Sequence, residues 1–177
     1  MSSRIASLLE RNRAFAASDV RENAPSLPVL PHAGLFIVTC VDSRVDPAEF
    51  LGLRFGDAIV ARTVGGRATP GVVQDLAIFS YLLEEWAPEG PAFEVAVIHH
   101  TECGSALLAD ESVRRDFAHR TGYAEDALAE LPVLDPAESV RADVERIASD
   151  PRVSSRIAVS GHVYDVRTGL LTTIVEP

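Results

Sequence analysis

The chain has 177 residues, of which 26 are acidic and 16 are basic, so its formal net charge is −10. This excess of negative charge argues against nucleic acid and anionic membranes as partners. A hydrophobic content of 47% and a charged content of 24% are typical of a soluble globular protein. No apolar run approaches the roughly 18 residues of a membrane span.

The length predicts a single domain over residues 1–177, with residues 1–24 as an amino-terminal helical arm. Acidic and basic residues are both met by Glu10 and Arg11, which is unlike a secretory signal. Without an export signal the two cysteines are expected to stay reduced, which favours metal binding or catalysis over a disulfide. We therefore expect a cytoplasmic protein.

The first predicted element is a helix over residues 3–17. Ile5, Leu8, Leu9 and Phe15 recur at helical spacing and form an apolar stripe. One interpretation is that this stripe packs on the protein's own sheet. Residues 21–33 contain three prolines and are predicted to form an irregular surface connection.

Strands and helices are predicted to alternate from residue 34 onward. The first strand covers residues 34–38, Asp46-Pro47 begins a helix that ends near residue 53, and the second strand covers residues 57–61. A helix with a broad apolar face covers residues 71–86, and the third strand begins at Phe93. Short apolar strands separated by helices predict a parallel sheet.

The second half of the chain continues this pattern. Short helices are predicted at residues 105–110 and 124–131, on either side of a charged and exposed segment, and a longer one follows over residues 135–149. Residues 156–160 begin the last parallel strand, which a turn joins to residues 170–175. The predicted fold class is α/β: a central, mostly parallel sheet flanked by helices and ending in an antiparallel hairpin strand.

Two polar clusters follow the ends of predicted strands. Cys40, Asp42 and Arg44 form a Cys-x-Asp-x-Arg pattern after the first strand, and His100 and Cys103 form a His-x-x-Cys pattern after the third. Open α/β sheets place their ligand sites at these strand ends. Two thiolates and an imidazole suit a tetrahedral zinc whose fourth position is free for water or substrate, which is typical of a catalytic site.

Each of these residues also has a simpler interpretation. Cys40 can be a small buried apolar residue, His100 a hydrogen-bonded core histidine, and the two cysteines can form a disulfide. Asp42 and Arg44 can be only a structural ion pair. The two spaced motifs together favour zinc. Arg44 would then form a bidentate ion pair with the Asp42 carboxylate and fix its orientation.

In these two motifs the chain resembles the β-class carbonic anhydrases, whose hallmark is Cys-x-Asp-x-Arg followed by His-x-x-Cys. The resemblance covers nearly the whole chain. Further matching segments are Asn12-Arg13-Ala14-Phe15, Arg62-Thr63-Val64-Gly65-Gly66, Gly161-His162-Val163-Tyr164-Asp165 and Thr168-Gly169-Leu170. It implies reversible hydration of carbon dioxide to bicarbonate and a proton, at Zn²⁺ held by Cys40, His100 and Cys103.

The resemblance implies further roles. Zinc would lower the pKa of its bound water, and the Asp42–Arg44 pair would orient the hydroxide for attack on the substrate. In a closed form, which also occurs in the family, Asp42 would instead occupy the fourth coordination place. Arg62 matches an arginine that binds bicarbonate in some members, with a solvated or interfacial arginine as the alternative. Backbone N–H groups from Gly104 onward could stabilise the Cys103 thiolate and meet an anion.

The family also implies a homodimer or a larger homo-oligomer, with the amino-terminal helix packed across a partner. Some positions depart from the family. Ile37 and Thr39 stand where a bicarbonate-regulated subgroup carries tryptophan and glycine, and Thr63-Val64 replaces the more usual Asn-Ala. These departures weaken the case for that subgroup's anion pocket.

The remaining histidines are not expected to bind the metal. His99 would point to the face opposite His100, which predicts a core or surface position, and His32, His119 and His162 lack metal-ligand spacing.

Two rival functions use the same residues. Family relatives hydrolyse carbonyl sulfide or carbon disulfide with the same ligands, so such a hydrolase is the first rival. The second is a non-catalytic zinc protein that serves as an anion sensor or assembly partner; the Asp42–Arg44 pair argues against it, because a purely structural site would not require that pair. A redox dithiol is disfavoured because the sequence has no Cys-x-x-Cys.

Overall fold

The computed structural model describes residues 5–18, 30–90 and 93–177. Its centre is a five-stranded sheet with the strand order β2-β1-β3-β4-β5. The strands are β1 (Leu35–Cys40), β2 (Ala58–Thr63), β3 (Phe93–His100), β4 (Ile157–Tyr164) and β5 (Leu171–Val175). The pairs β1–β2, β1–β3 and β3–β4 are parallel, whereas β5 runs antiparallel to β4. The predicted α/β fold class, with its final hairpin strand, is confirmed.

Six helices accompany the sheet in the described ranges. They are α1 (Ala6–Ala16), α2 (Pro47–Phe50), α3 (Pro70–Trp86), α4 (Glu111–Thr121), α5 (Glu125–Ala129) and α6 (Pro136–Ala148), with 3₁₀ turns over Val64–Gly66 and Gly104–Ala109. The side chains of Asp46, Thr69 and Asp135 accept first-turn N–H groups of α2, α3 and α6, and a proline follows each cap. Over these ranges, no helix combines the length and apolar character needed to cross a bilayer.

Helices α3 and α6 pack on one face of the sheet and form the main core. Because alternate residues of a strand point to opposite faces, Phe36 and Val38 join this core. Ile37 instead joins a smaller cluster with Ala96 and Ile98 on the other face. The helix residues buried in the main core are Val72, Leu76, Phe79 and Leu83 from α3 and Val140, Val144 and Ile147 from α6.

Helix α4 occupies the segment that the sequence predicts to be charged and exposed. The exposure is confirmed, since none of its residues is buried, but the helix itself is not predicted by the sequence pattern. It lacks an apolar stripe and is bounded instead by the N-cap Asp110 and by Gly122, which has a φ of 76°. Ion pairs one helical turn apart, Arg115–Glu111 and Arg120–Asp116, line its surface.

Helix α1 buries none of its residues. Ile5, Leu8 and Leu9 are 55%, 47% and 48% exposed, and the Phe15 ring contacts Phe55 with ring centroids 5.6 Å apart. The interpretation that this stripe packs on the protein's own sheet is therefore wrong. The first four residues of the predicted arm, and residues 19–29 of the arm and the predicted connection, lie outside the described residues.

Candidate metal centre

The two motifs meet where β1 and β3 end. Cys40 is the last residue of β1 and His100 the last of β3. These strands are parallel neighbours with Thr39 paired to Ile98, so both side chains reach the same edge of the sheet. After His100 the chain reverses through Glu102, whose φ of 56° is rare for a residue other than glycine. This reversal returns Cys103 to the two earlier residues.

Cys40, His100 and Cys103 form one compact, buried group. Their potential ligand atoms all lie within 4.8 Å of one another, and in the part of the chain that the structure describes this is the group suited to hold a metal ion. The two sulfurs are 3.9 Å apart, whereas a disulfide bond is about 2.05 Å long. Both cysteines are free thiols, so the disulfide alternative is wrong for this structure.

The His100 ring is oriented with one nitrogen available to a metal. Its Nδ1 lies 2.9 Å from the Thr101 carbonyl oxygen, which can only accept, so Nδ1 carries the hydrogen. Nε2 is buried and has no hydrogen-bond partner among the described residues. A buried nitrogen lone pair without a partner is costly unless a ligand satisfies it. Together with two sulfurs, this nitrogen fits a zinc ion.

The two thiols share a hydrogen bond. It raises the pKa of Cys40 and lowers the pKa of Cys103. Backbone N–H groups also approach Cys40, because the Asp42 amide lies 3.4 Å from its Sγ and the Gly65 amide lowers its pKa. A divalent cation bound here would leave both sulfurs as thiolates.

The glycine turn behind Cys40 depends on the absence of side chains. Gly65 and Gly66 have φ values of 73° and 71°. A Cβ atom on Gly66 would lie 3.1 Å from the Cys40 backbone nitrogen, and one on Gly65 would lie 2.8 Å from the Leu131 carbonyl oxygen. The turn therefore excludes bulkier side chains at both positions.

Asp42 and Arg44 form a bidentate ion pair beside the sulfurs. Arg44 donates from Nε to Oδ1 at 3.0 Å, from Nη2 to Oδ2 at 2.7 Å, and from its backbone N–H to Oδ1 at 2.9 Å. The guanidinium holds the pKa of Asp42 well below its usual range, so the carboxylate is ionised at neutral pH. Arg44 also donates to the Glu102 carbonyl at 3.0 Å and thus joins the two motif loops. Among the described residues, Asp42 is not one of the three residues whose ligand atoms lie within 4.8 Å of one another.

Comparison with known proteins identifies the family. The family model described as "Carbonic anhydrase" matches residues 35–171. "Beta-carbonic anhydrase 1" of Mycobacterium tuberculosis is 33% identical over 148 residues, which cover 84% of this chain and 86% of that protein. The chain belongs to the β-class carbonic anhydrase family.

Two further relatives extend this comparison. The crystal structure of the carbonic anhydrase from Streptococcus mutans matches with a TM-score of 0.78 and 34% identity, over 98% of this chain and 99% of that one. A "Carbon disulfide hydrolase" of Acidianus sp. is 25% identical over 157 residues, which cover 76% of this chain and 74% of that protein. The family therefore includes relatives named for different substrates.

In this chain, Arg62 supports the backbone of the loop after Cys40. It donates to the carbonyl oxygens of Cys40 at 3.0 Å, Asp42 at 2.7 Å and Val45 at 2.7 Å. Its Nη1 lies 4.0 Å from Asp46 Oδ2. These hydrogen bonds fix the backbone that carries Asp42, a role that the sequence does not reveal. Binding of bicarbonate by Arg62 stays a prediction.

Gly104 begins the 3₁₀ turn Gly104–Ala109, with Cys103 at the N-cap position. A Cβ atom on Gly104 would meet nothing within 4 Å, so steric crowding does not require glycine here. The Ser105 backbone N–H, one residue further on, lowers the pKa of Cys103 and so stabilises its thiolate. Contact between Gly104 and an anion stays a prediction.

A buried ionic cluster lies behind the ligands and is missed by sequence reasoning. Asp143 of α6 is fully buried, accepts from Arg67 Nε at 2.7 Å and Nη2 at 3.2 Å, and lies 3.1 Å from His99 Nε2. Of the two predicted alternatives for His99, a core or a surface position, the structure has the core position, since the side chain is fully buried. Nothing in the sequence pairs these three residues, because they come from separate elements.

The other histidines and Thr39 lie outside the compact group of potential metal ligands. His162 contacts Ser160 at 2.9 Å and Thr173 at 3.2 Å, while His32 and His119 are exposed and stand apart from the compact group. Thr39 donates to the Ile98 carbonyl at 2.9 Å and so ties β1 to β3.

Proposed function

We propose that this protein catalyses the reversible hydration of carbon dioxide at a Zn²⁺ bound by Cys40, His100 and Cys103. The observation that carries the proposal is the compact group of Cys40, His100 and Cys103, whose ligand atoms lie within 4.8 Å of one another and in which His100 Nε2 has no hydrogen-bond partner among the described residues. Membership of the β-class family supports it. When bound, zinc supplies Lewis-acid chemistry that lowers the pKa of coordinated water toward about 7.

Asp42 is the proposed orienting group. Its ionised carboxylate can only accept hydrogen bonds, so it would receive the hydrogen of the attacking oxygen and direct the oxygen lone pair toward carbon dioxide. Arg44 prevents the carboxylate from rotating, because three of its N–H groups hold both oxygens. Arg62 donates to the Asp42 carbonyl, and Arg44 donates to the Glu102 carbonyl. These two hydrogen bonds would hold the Asp42 loop in a fixed position relative to the His100–Cys103 loop.

Stopped-flow hydration of carbon dioxide tests the proposal. Zinc-loaded protein is expected to accelerate hydration, the chelator-treated protein to lose that activity, and added zinc to restore it. Zinc-loaded protein that hydrates carbon dioxide no faster than buffer would contradict the proposed activity.

Hydrolysis of carbon disulfide or carbonyl sulfide is the second candidate function. It is favoured by the similarity to the carbon disulfide hydrolase of Acidianus sp.. Because the ligand set would be the same, substrate preference must be measured directly, by comparing the turnover of carbon dioxide, carbonyl sulfide and carbon disulfide on one zinc-loaded preparation. Faster turnover of a sulfur compound would replace the first proposal with the second. Absence of turnover with all three substrates would favour the zinc-binding anion sensor, which the bidentate Asp42–Arg44 pair argues against.

We also propose a homo-oligomer, with at least two copies packed through α1. The apolar stripe of that helix is exposed in the single chain, and burying it against a second copy would remove it from water. A cytoplasmic location stays a prediction.

A further inference from the structure

Ser105 lies directly beside one of the two sulfurs. Its Oγ is 3.2 Å from Cys103 Sγ. The side chain is buried, with 6% of the residue exposed, and belongs to the 3₁₀ turn Gly104–Ala109. The contact is therefore shielded from water, where a hydrogen bond to an anionic sulfur is stronger than at the surface.

The direction of this hydrogen bond follows from a second contact. The backbone N–H of Val133 donates to Ser105 Oγ at 3.2 Å. An amide N–H can only donate, so the serine oxygen is the acceptor there and its own hydrogen remains free. A metal-bound cysteine is a thiolate and has no hydrogen to give. Ser105 must then donate to Cys103 Sγ.

We propose that Ser105 is a positioning residue of the metal centre, whose hydroxyl donates to Cys103 Sγ and holds this sulfur in its ligating position. The inference rests on the proposed function, since it takes zinc as the bound ion. Hydrogen bonds to ligand atoms orient them and tune the metal, and losing such a partner typically weakens metal affinity about 10- to 100-fold. A hydrogen bond from the hydroxyl would also draw electron density from the Cys103 sulfur.

Ser105 also packs closely against the glycine turn that lies behind Cys40. A Cβ atom on Gly65 would lie 3.0 Å from Ser105 Oγ, which shows how closely the serine packs on the turn behind Cys40. Val133, which anchors the hydroxyl, is buried in one cluster with Cys40 and Cys103. The hydroxyl is thus held from two sides, and its hydrogen is left directed at the sulfur.

Ser80 provides a matched control on α3. It is buried with 3% exposure, its hydroxyl donates to the Leu76 carbonyl at 2.8 Å, and it accepts the Ser154 backbone N–H at 3.1 Å. Ser80→Ala and Ser105→Ala therefore each remove a buried hydroxyl that accepts one amide and donates one hydrogen bond. Only Ser105 donates to a proposed metal ligand.

The test measures zinc affinity by competition with a chromogenic chelator, for the parent protein, Ser105→Ala, Ser80→Ala and the hydroxyl-retaining Ser105→Thr. We expect about 10-fold weaker binding in Ser105→Ala, parent affinity in Ser80→Ala, and tighter binding in Ser105→Thr than in Ser105→Ala. Cobalt substitution gives a second readout. The sulfur-to-cobalt charge-transfer band should move to lower energy in Ser105→Ala and not in Ser80→Ala. A Cys103 sulfur that has lost the hydroxyl hydrogen bond is richer in electrons.

The outcomes separate this inference from the proposed function. Parent affinity with an unshifted cobalt band in Ser105→Ala would overturn the role of Ser105, as would an equal loss of affinity in Ser80→Ala. A parent protein that binds no zinc would remove the proposed function itself. Zinc binding without carbon dioxide turnover would overturn the proposed reaction and leave the Ser105 measurement valid.

Discussion

At the scale of single residues, the part of the chain that the structure describes contains two Asp-x-Arg segments whose aspartate and arginine form an ion pair. Arg152 contacts Asp150 through its backbone N–H at 3.0 Å, Nε at 2.8 Å and Nη2 at 2.7 Å, the same three contacts that Arg44 makes with Asp42. The second pair is remote from the sulfurs, on the connection after α6. The two pairs therefore separate the effect of an ion pair as such from the effect of its place beside the metal ligands.

Removal of the Asp42 carboxylate should abolish most turnover and leave zinc in place. We expect Asp42→Ala to lower kcat/KM for carbon dioxide hydration about 100-fold, because the attacking oxygen loses the carboxylate that accepts its hydrogen bond. This magnitude is typical for the loss of a positioned group that handles a proton. Stopped-flow kinetics and metal analysis of the same sample give both quantities. The control Asp150→Ala should keep parent activity, and full activity in Asp42→Ala would remove Asp42 from the mechanism.

The buried Asp143 should make the stability of the metal-free protein depend on acid pH. Burial raises its pKa, but the His99 ring 3.1 Å away and the hydrogen bonds from Arg67 lower it more, and the net value is below the ordinary one of about 3.9. The folded state thus binds this proton less readily than the unfolded state. The stabilisation is complete above about pH 3.9 and is lost as the pH falls through the folded-state pKa.

Urea denaturation across this acidic range checks the dependence on Asp143. We expect Asp143→Asn to be less stable than the parent by about 3–5 kcal/mol at neutral pH, since Arg67 loses its buried partner. Its free energy of unfolding should then fall less steeply toward low pH. Equal slopes for the two proteins would contradict this assignment of the acid sensitivity.

At the scale of elements, the glycine turn after β2 should be more sensitive than other left-handed positions. Gly66 has a φ of 71°, and an added Cβ would lie 3.1 Å from Cys40 N and 3.3 Å from His99 Cδ2. Gly122 has a φ of 76° with nothing within 4 Å. Gly122→Ala should cost about 1–2 kcal/mol of stability through backbone strain alone.

Gly66→Ala should cost more stability than Gly122→Ala and should also weaken zinc binding, because Cys40 must shift. Thermal denaturation and chelator competition measure the two effects. If both variants kept parent zinc affinity, the turn would not be positioning Cys40.

Helix α1 leaves the leucines of its apolar stripe exposed in the isolated chain. Leu8→Glu combined with Leu9→Glu places two charges in its apolar stripe, and we expect the assembly to dissociate toward single chains, as measured by light scattering. Ala14→Glu adds a charge on the other side of the helix, well away from Leu8, and should leave the mass unchanged. A mass that both variants retain would exclude α1 from the interface.

At the scale of the whole molecule, the sequence predicts what is local and periodic. The strands, α3 and α6 follow from apolar patterns and caps, and the metal group follows from two motifs at neighbouring strand ends. Helix α4 is not predicted because charge pairs and caps, not an apolar stripe, define it. Arg62, Asp143 and Ser105 act through partners distant in sequence. Arg62 is 17 residues from Val45, Asp143 is 76 residues from Arg67, and Ser105 is 28 residues from Val133. Single-sequence patterns do not encode such contacts.

X-ray absorption at the zinc edge tests the central claim most directly, namely that distant side chains converge on one ion. We expect one zinc per chain with two sulfur neighbours at about 2.3 Å and nitrogen or oxygen neighbours at about 2.0–2.2 Å. Cys103→Ala should leave one sulfur neighbour or bind no zinc. A parent spectrum without sulfur neighbours, or with the same two sulfurs after Cys103→Ala, would contradict the assignment.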